Sequence, residues 1–471
     1  MTIINRLVSR SHKIGTAIRF RELKAAMLEF EIKNLGKVGR GHVKLAPLTI
    51  FVGKNNTGKS YAATSVWCLS NLSPILNTKD ARTKRPKWFT EFSEFTASEN
   101  DRELVITSEK LGEVASYLNE LFRRSAPAFF SKVFAYEGFR DAYLNVICSE
   151  FKPFAIRVST VSEKARIGHE FDERVVQFVA EGGAKLFEAV FPSFLWKESS
   201  IATDIIFGHI VQLAIQGEVD FIPQRSTYIP AARTGLMLAL GSLASDSLGS
   251  KENSSSRELP LPFQQFLREM VRPNFSDRPS QKNKLSAWLD DNVIGGAIEA
   301  QRRQGTPDYK YKPRGSDVEL PLYATSSMIT ELAPFCVALR SDVRGRHLIL
   351  EEPEAHLHLE AQREMARAIG RMVSSGAQVT LTTHSDTFMQ QINNLISLYK
   401  HPQQTKLLKR FGYNKADLID PLKIAVYEFI ASDDGTEIHK LECTPAGFVV
   451  KSLNDTLVAL AKETVEIREN Q

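Results

Sequence analysis

Four stretches of this chain carry residue types that could do chemistry together. The first is Gly53-Lys54-Asn55-Asn56-Thr57-Gly58-Lys59-Ser60, which has the G-x-x-x-x-G-K-[ST] spacing of a phosphate-binding loop. The glycines let backbone N–H groups turn inward around a phosphate, and the N-terminus of a following helix adds partial positive charge. In such a loop Lys59 reaches the β- and γ-phosphates, and the Ser60 hydroxyl binds Mg²⁺. Gly53, Asn55, Asn56, Thr57, Gly58, Lys59 and Ser60 are therefore the expected contacts of a nucleotide.

The second stretch, His347-Leu348-Ile349-Leu350-Glu351-Glu352-Pro353-Glu354, is an apolar strand ending in carboxylates. α/β proteins place their chemistry at the carboxyl ends of buried strands. One carboxylate there can hold Mg²⁺, and the next can orient and deprotonate an attacking water. The third, Gln378-Val379-Thr380-Leu381-Thr382-Thr383-His384-Ser385, is another buried-looking strand. Its terminal histidine can hydrogen-bond a γ-phosphate or the attacking water. The fourth, Ala324-Thr325-Ser326-Ser327-Met328-Ile329-Thr330-Glu331, reads as an N-cap opening a helix, and the same pattern can bind an anion. His356 and His358 suggest no metal site, because no third ligand is evident, and they read as a turn.

These residues need elements to place them. Leu48–Val52 is a β-prone run before the loop, and Tyr61–Val66 begins a helix. Upstream, Leu28–Lys33, His42–Lys44 and Leu48–Val52 read as a β-meander, with Gly36, Gly39 and Gly41 as turns. Between about 73 and 227 the pattern is mainly helical, at Glu109–Arg123, Asp172–Ala180 and Ile201–Gln216, with Phe154–Val161 as a lone strand. The aromatic run Phe129, Phe130, Phe134, Tyr136, Phe139 and Tyr143 has the spacing of helical core. Tyr228–Gly235 reads as a strand running into a helix. Ser245–Arg257 reads as a flexible loop, Pro262–Val271 and Leu285–Ala300 as helices, and Pro307–Lys312 and Val318–Tyr323 as strands. Residues 1–26 form a basic extension with Glu22 its only acid.

Composition narrows the class. A chain of 471 residues with 43% hydrophobic and 24% charged residues is ordinary for a soluble globular protein, and a net charge of +5 gives little reason to expect nucleic acid. Cys68, Cys148, Cys336 and Cys443 form no C-x-x-C pair, which argues against a zinc site or disulfide framework and for a reducing, cytoplasmic compartment. No apolar run approaches the roughly 18 residues that span a bilayer.

In this order, GKNNTGKS, YIPAARTG, ATSSMITELAP, LILEEPEAHLHLEAQ and LTTHSDTF resemble the motifs of an ABC-type ATPase head. They are most similar to the ATPase module of the overcoming-lysogenization-defect family and to ATPases of bacterial anti-phage systems such as Septu and PARIS. The resemblance implies an α/β P-loop fold, a mixed sheet with flanking helices. Residues 27–72 would form the N-terminal lobe with Walker A, 73–227 a largely helical insertion, and 228–471 the C-terminal lobe. By resemblance Glu351 is the Walker B acid that holds Mg²⁺, Glu352 the catalytic glutamate, Pro353–Leu359 the D-loop and His384 the switch histidine. Ser326 resembles the signature serine, which in such proteins contacts the γ-phosphate bound by the opposite subunit. Met328 stands where a glycine is usual. No glutamine follows the first helix, and Arg233 is the expected substitute contact to the nucleotide.

What the resemblance implies about function is Mg²⁺-dependent ATP hydrolysis by a homodimer or higher homo-oligomer. The chain would act as sensor or scaffold of an anti-phage system and control a separate effector, a nuclease, with DNA or a phage protein as trigger. Nuclease-bearing relatives continue into a Toprim domain. Here Asp433-Asp434-Gly435 reads as a hairpin turn and the stretch after Thr387 is short for a domain, so no nuclease is expected within the chain. The alternative is a RecF- or SMC-like repair ATPase that binds DNA directly. A transporter subunit lacks support, since neither LSGGQ nor a Q-loop is present.

Overall fold

The computed structural model describes residues 28–97, 102–148, 152–163, 171–192, 199–216, 225–240, 259–272, 284–301, 307–340 and 343–469. The basic extension 1–26 and the loop at 245–257 lie outside the described residues. The chain divides into two compact units. One takes in Leu72–Ser125 and Asn145–Ile222; the other takes in Phe30–Asn71, Ala126–Leu144 and Pro223–Gln471.

The second unit is built on a nine-stranded sheet. Its strands are β1 (Glu29–Leu35), β2 (Val38–Lys44), β3 (Leu48–Gly53), β4 (Tyr143–Ile147), β5 (Arg225–Ile229), β6 (Arg346–Glu351), β7 (Gln378–Thr383), β8 (Ile424–Ser432) and β9 (Gly435–Lys440). Their order across the sheet is β4-β1-β2-β9-β8-β3-β7-β6-β5. β8, β3, β7, β6 and β5 run parallel to one another, while β8 and β9 form an antiparallel hairpin around Asp433 and Asp434. β3 and β6 are buried at every position, as expected of parallel strands covered on both faces.

Side-chain alternation then assigns the faces. Leu48, Ile50, Leu348, Leu350, Val379 and Leu381 pack into one continuous core. That core also holds apolar residues of α2 (Ser327–Leu339), α3 (Leu359–Ser374) and α4 (Asp386–Tyr399). The opposite face of β3, β6 and β7 is covered by α1 (Lys59–Ser70), where Ser70 Oγ meets His347 Nδ1 at 3.1 Å.

Two readings of this unit change, and a third holds. The first strands are not a meander: β8 and β9 separate β2 from β3, and Gly41 lies inside β2. A Cβ on Gly41 would collide with the Ile438 side chain, so this glycine serves the close approach of β9. The helix expected over Leu285–Ala300 ends at Ile294. Gly295 has φ +66, which the helix cannot continue through, and Gly296–Gln301 is a strand paired with Asp308–Pro313. The aromatic run is core, as its spacing predicts: Phe129, Phe130 and Phe139 are buried, and the tilted rings of Phe134 and Tyr61 of α1 have centroids 5.1 Å apart. Tyr136, 65% accessible, is the exposed ring of the run.

The first unit combines helices with strands. It contains a four-stranded antiparallel sheet, ordered Arg102–Ile106, Phe154–Glu163, Phe171–Ala180 and Lys185–Pro192. The helix expected over Asp172–Ala180 is thus a central strand, and the strand at Phe154 is not alone. The segment is a short apolar run rich in valine, whose periodicity fits helix and strand alike; pairing on both sides decides for the strand. Beside the sheet, Trp88, Phe89, Phe92 and Phe207 form an aromatic cluster, with the Arg85 guanidinium 4.1 Å from the Phe89 ring and paired to Asp204 at 2.7 Å.

Candidate nucleotide site

The site grows from the carboxyl ends of three adjacent parallel strands. Thr382 of β7 pairs with Phe51 of β3 on one side and with Glu351 of β6 on the other. The chain therefore leaves the sheet at Gly53, Glu351 and Thr383 along one edge, where open α/β sheets bind ligands.

At Gly53 it enters the phosphate loop. Gly53, Asn56 and Gly58 take φ values of +149°, +61° and +91°. A Cβ on Gly53 would sit 2.7 Å from the Phe429 carbonyl oxygen, so the turn requires glycine there. Gly58 caps α1 without any side-chain hydrogen bond to the first turn. The Thr57 hydroxyl donates to the Lys54 carbonyl at 2.9 Å, and Lys59 Nζ donates to the carbonyls of Gly53 at 2.9 Å and Lys54 at 2.7 Å. Burial pulls the Lys59 ammonium below the ordinary lysine range, against the carboxylates of Glu352 and Glu354, which hold it up. Asn55, Asn56 and Ser60 are exposed.

Glu351 is the last residue of β6. It is on the face that α1 covers, so its buried carboxylate meets the Ser60 hydroxyl at the start of that helix. The Ala231 N–H donates to its Oε2 at 3.1 Å, and the Tyr228 hydroxyl also bonds it. Burial pushes Glu351 above the usual carboxylate range, and these donors oppose the rise. A hydroxyl and a carboxylate side by side are hard oxygen donors that suit Mg²⁺. The loop and this pair fit a Mg²⁺-nucleotide.

Glu352 leaves the strand at φ +43, an uncommon conformation for a residue with a side chain. Its N–H is fixed to Thr382, on the carbonyl at 3.0 Å and the hydroxyl at 3.1 Å. The turn directs its carboxylate to His384 Nδ1, 3.3 Å away. This hydrogen bond is the main reason that Glu352 lies below the usual carboxylate range and His384 above the usual histidine range. His384 contributes below the ordinary histidine pKa and loses its contribution as pH rises through its elevated value. Glu352 contributes above the ordinary carboxylate pKa and loses it as pH falls through its depressed value. The pair is charged between those limits.

Arg233 does not stand as a nucleotide contact. Its guanidinium is 0% accessible. Nε pairs with Glu331 Oε2 at 2.6 Å, Nη1 donates to the carbonyls of Pro230 at 3.1 Å and Glu351 at 2.8 Å, and Nη2 donates to the Glu352 carbonyl at 2.9 Å. Arg233 thus holds the backbone of the acidic turn from beneath. Arg233→Ala should strip Glu331 of its buried counterion and cost about 3–5 kcal/mol of stability. Urea unfolding checks this, and a loss under about 1 kcal/mol would show that the pair is not structural.

Ser326 sits at the N-cap position of α2, but its hydroxyl makes no cap bond and the residue is exposed. Its carbonyl accepts from Ile329 at 3.0 Å and Thr330 at 3.2 Å. Met328 packs partly buried against the main core. His358 caps α3, and among the described residues no group of three or more His, Cys, Asp or Glu could hold a metal ion. Sequence reasoning missed Tyr228, Ala231, Thr382 and Glu331; their signal lies in the strands and turns beside the recognised acids rather than in any motif spacing.

Sheet order, loop and acidic strand end together define a P-loop ATPase of ABC type. The chain belongs to the family described as "AAA domain, putative AbiEii toxin, Type IV TA system", whose model matches residues 75–390. That stretch includes the acidic strand and His384; the phosphate loop precedes it and rests on its own sequence and geometry. No curated protein matches the sequence. Among solved structures, the chain is similar to an Smc head bound to the C-terminal winged-helix domain of ScpA (12% identity, 89% of this chain and 99% of that one, TM-score 0.37). It is also similar to the SMC head domain of Thermotoga maritima (10%, 88% and 99%, 0.30). A third is an Smc head with an extended coiled coil bound to the C-terminal domain of ScpA, from Pyrococcus furiosus (13%, 94% and 100%, 0.34). At these scores the fold assignment rests on the strand order and the family. No helix of the described residues is long and apolar enough to cross a membrane.

Proposed function

We propose that the chain binds and hydrolyses ATP with Mg²⁺. The observation that carries this is the convergence of Lys59, the Ser60–Glu351 pair and the Glu352–His384 pair at one sheet edge. The loop N–H groups and Lys59 hold the phosphates. Ser60 and Glu351 would hold Mg²⁺, which when bound neutralises charge on the phosphate oxygens. Glu352 takes the proton of the attacking water, and its depressed pKa keeps it ionised for that task. His384, kept cationic by Glu352, faces the developing negative charge.

The exposed hydroxyl of Ser326 and the resemblance of its segment to a signature motif support a composite site, in which each nucleotide is completed by a second copy of the chain. The family description, with its toxin–antitoxin wording, supports a defence role. In that role the ATPase acts as sensor or scaffold in the cytoplasm. ATP-dependent closure of a dimer controls a separate effector of nuclease type, with DNA or a phage protein as trigger. A partner must bind one state better than the other for closure to control it.

Mixing tests the shared site. A Lys59→Ala chain and a Ser326→Arg chain are each expected to be inactive alone. A heterodimer of the two retains one intact composite site, so the mixture should recover part of the ATPase activity. No recovery at any ratio would contradict a site shared between chains.

A further inference from the structure

We infer that Glu354 is a positioning residue of the hydrolytic pair: it anchors the backbone of His384 to the acidic turn and so keeps the imidazole on Glu352. The inference rests on the ATPase reading for its consequence in turnover, but its geometry stands without it.

The direct contact between Glu352 and His384 is 3.3 Å long, and the two side chains are 29% and 40% accessible. A pair this open to water is screened and contributes too little to hold a ring in one orientation. Glu354 is different, being 3% accessible. Its Oε1 accepts from the Thr383 hydroxyl at 2.5 Å and from the His384 N–H at 3.2 Å. The turn that carries it is closed by Ala355 N–H on the Glu352 carbonyl at 2.9 Å and Leu357 N–H on the Glu354 carbonyl at 3.1 Å. Glu354 therefore moves with Glu352, and through Oε1 the end of β7 moves with both. Losing a buried acceptor that serves two donors leaves both donors unsatisfied, which is costly.

The second oxygen, Oε2, is buried with no hydrogen-bond partner among the described residues. Anchoring uses one oxygen and needs no charge. An amide at this position keeps the acceptor, whereas an alanine removes it. That separates positioning from any charge-based role for Glu354.

The imidazole reports the outcome directly. The charged groups that face His384 are Glu352 and Glu354, which raise its pKa, and Lys59, which lowers it. The full chain, with histidine side chains followed by NMR across pH and His384 assigned by difference with His384→Asn, gives its titration midpoint. In Glu354→Ala this midpoint should fall toward that of an ordinary histidine. ATP turnover should fall on the order of 10²-fold, the effect of a misplaced group, with ATP affinity kept. Glu354→Gln, which keeps the acceptor and removes only the charge facing His384, should lower the midpoint less than Glu354→Ala and keep turnover near the parent's. Thr383→Val, which removes one of the two donors, should shift the midpoint in the same direction by less, and it serves as the test if Glu354→Ala does not fold. An unchanged midpoint in Glu354→Ala or, where that chain does not fold, in Thr383→Val would overturn the inference. So would a Glu354→Gln variant that falls as far as Glu354→Ala. A parent chain without ATP turnover, in which the midpoint still moves as stated, would sink the ATPase reading and support the anchor.

Discussion

Glu352→Gln is expected to bind ATP as the parent does and to hydrolyse it about 10²–10⁴-fold more slowly, the usual contribution of a positioned general base. The substitution is nearly isosteric, and the backbone that positions the residue is untouched. The N–H of Glu352 remains on Thr382 and its carbonyl on Arg233. What disappears is the carboxylate that takes a proton from water and holds His384 charged. The neighbouring acid should behave differently. Glu351 is buried against the Ser60 hydroxyl, so Glu351→Gln should weaken the Mg²⁺ dependence of nucleotide binding. Single-turnover hydrolysis beside equilibrium binding separates the two effects. Unchanged turnover in Glu352→Gln would remove this residue from the chemistry.

Much of this site is legible in the sequence because its parts are local. A phosphate loop is eight consecutive residues between a strand and a helix, and both acids follow directly on an apolar run. Continuous burial of β3 and β6 makes such runs easy to recognise. The register that aligns Glu351 with Thr382 and Phe51 then brings the pieces together without further instruction from the sequence.

What was not legible depends on partners far along the chain. Arg233 reads as a free cation near a strand end until its bonds to Glu331 and Glu351, 98 and 118 positions away, are known. Glu354 reads as one more acid in a turn, and only the return of β7 beside β6 gives it Thr383 and His384 as donors. The same holds for the fold. β2 lies beside β9, nearly the whole chain away, so Gly41 looks like a turn when it is a point of close approach. In Phe171–Ala180 a valine-rich run is compatible with helix or strand, and only the strands on either side decide.

The central claim is that this chain holds a Mg²⁺-nucleotide in its glycine loop, and Lys59 tests it most directly. Its ammonium already lies against the loop carbonyls of Gly53 and Lys54, within the field of Glu352 and Glu354. Charge-assisted hydrogen bonds each contribute about 1.5–3 kcal/mol, so losing those to two phosphates should weaken binding by roughly 10²-fold or more. Equilibrium binding of ATP in the presence of Mg²⁺ should show that loss in Lys59→Ala, while urea unfolding shows a folded chain. ATP affinity equal to the parent's in a folded Lys59→Ala chain would contradict the account.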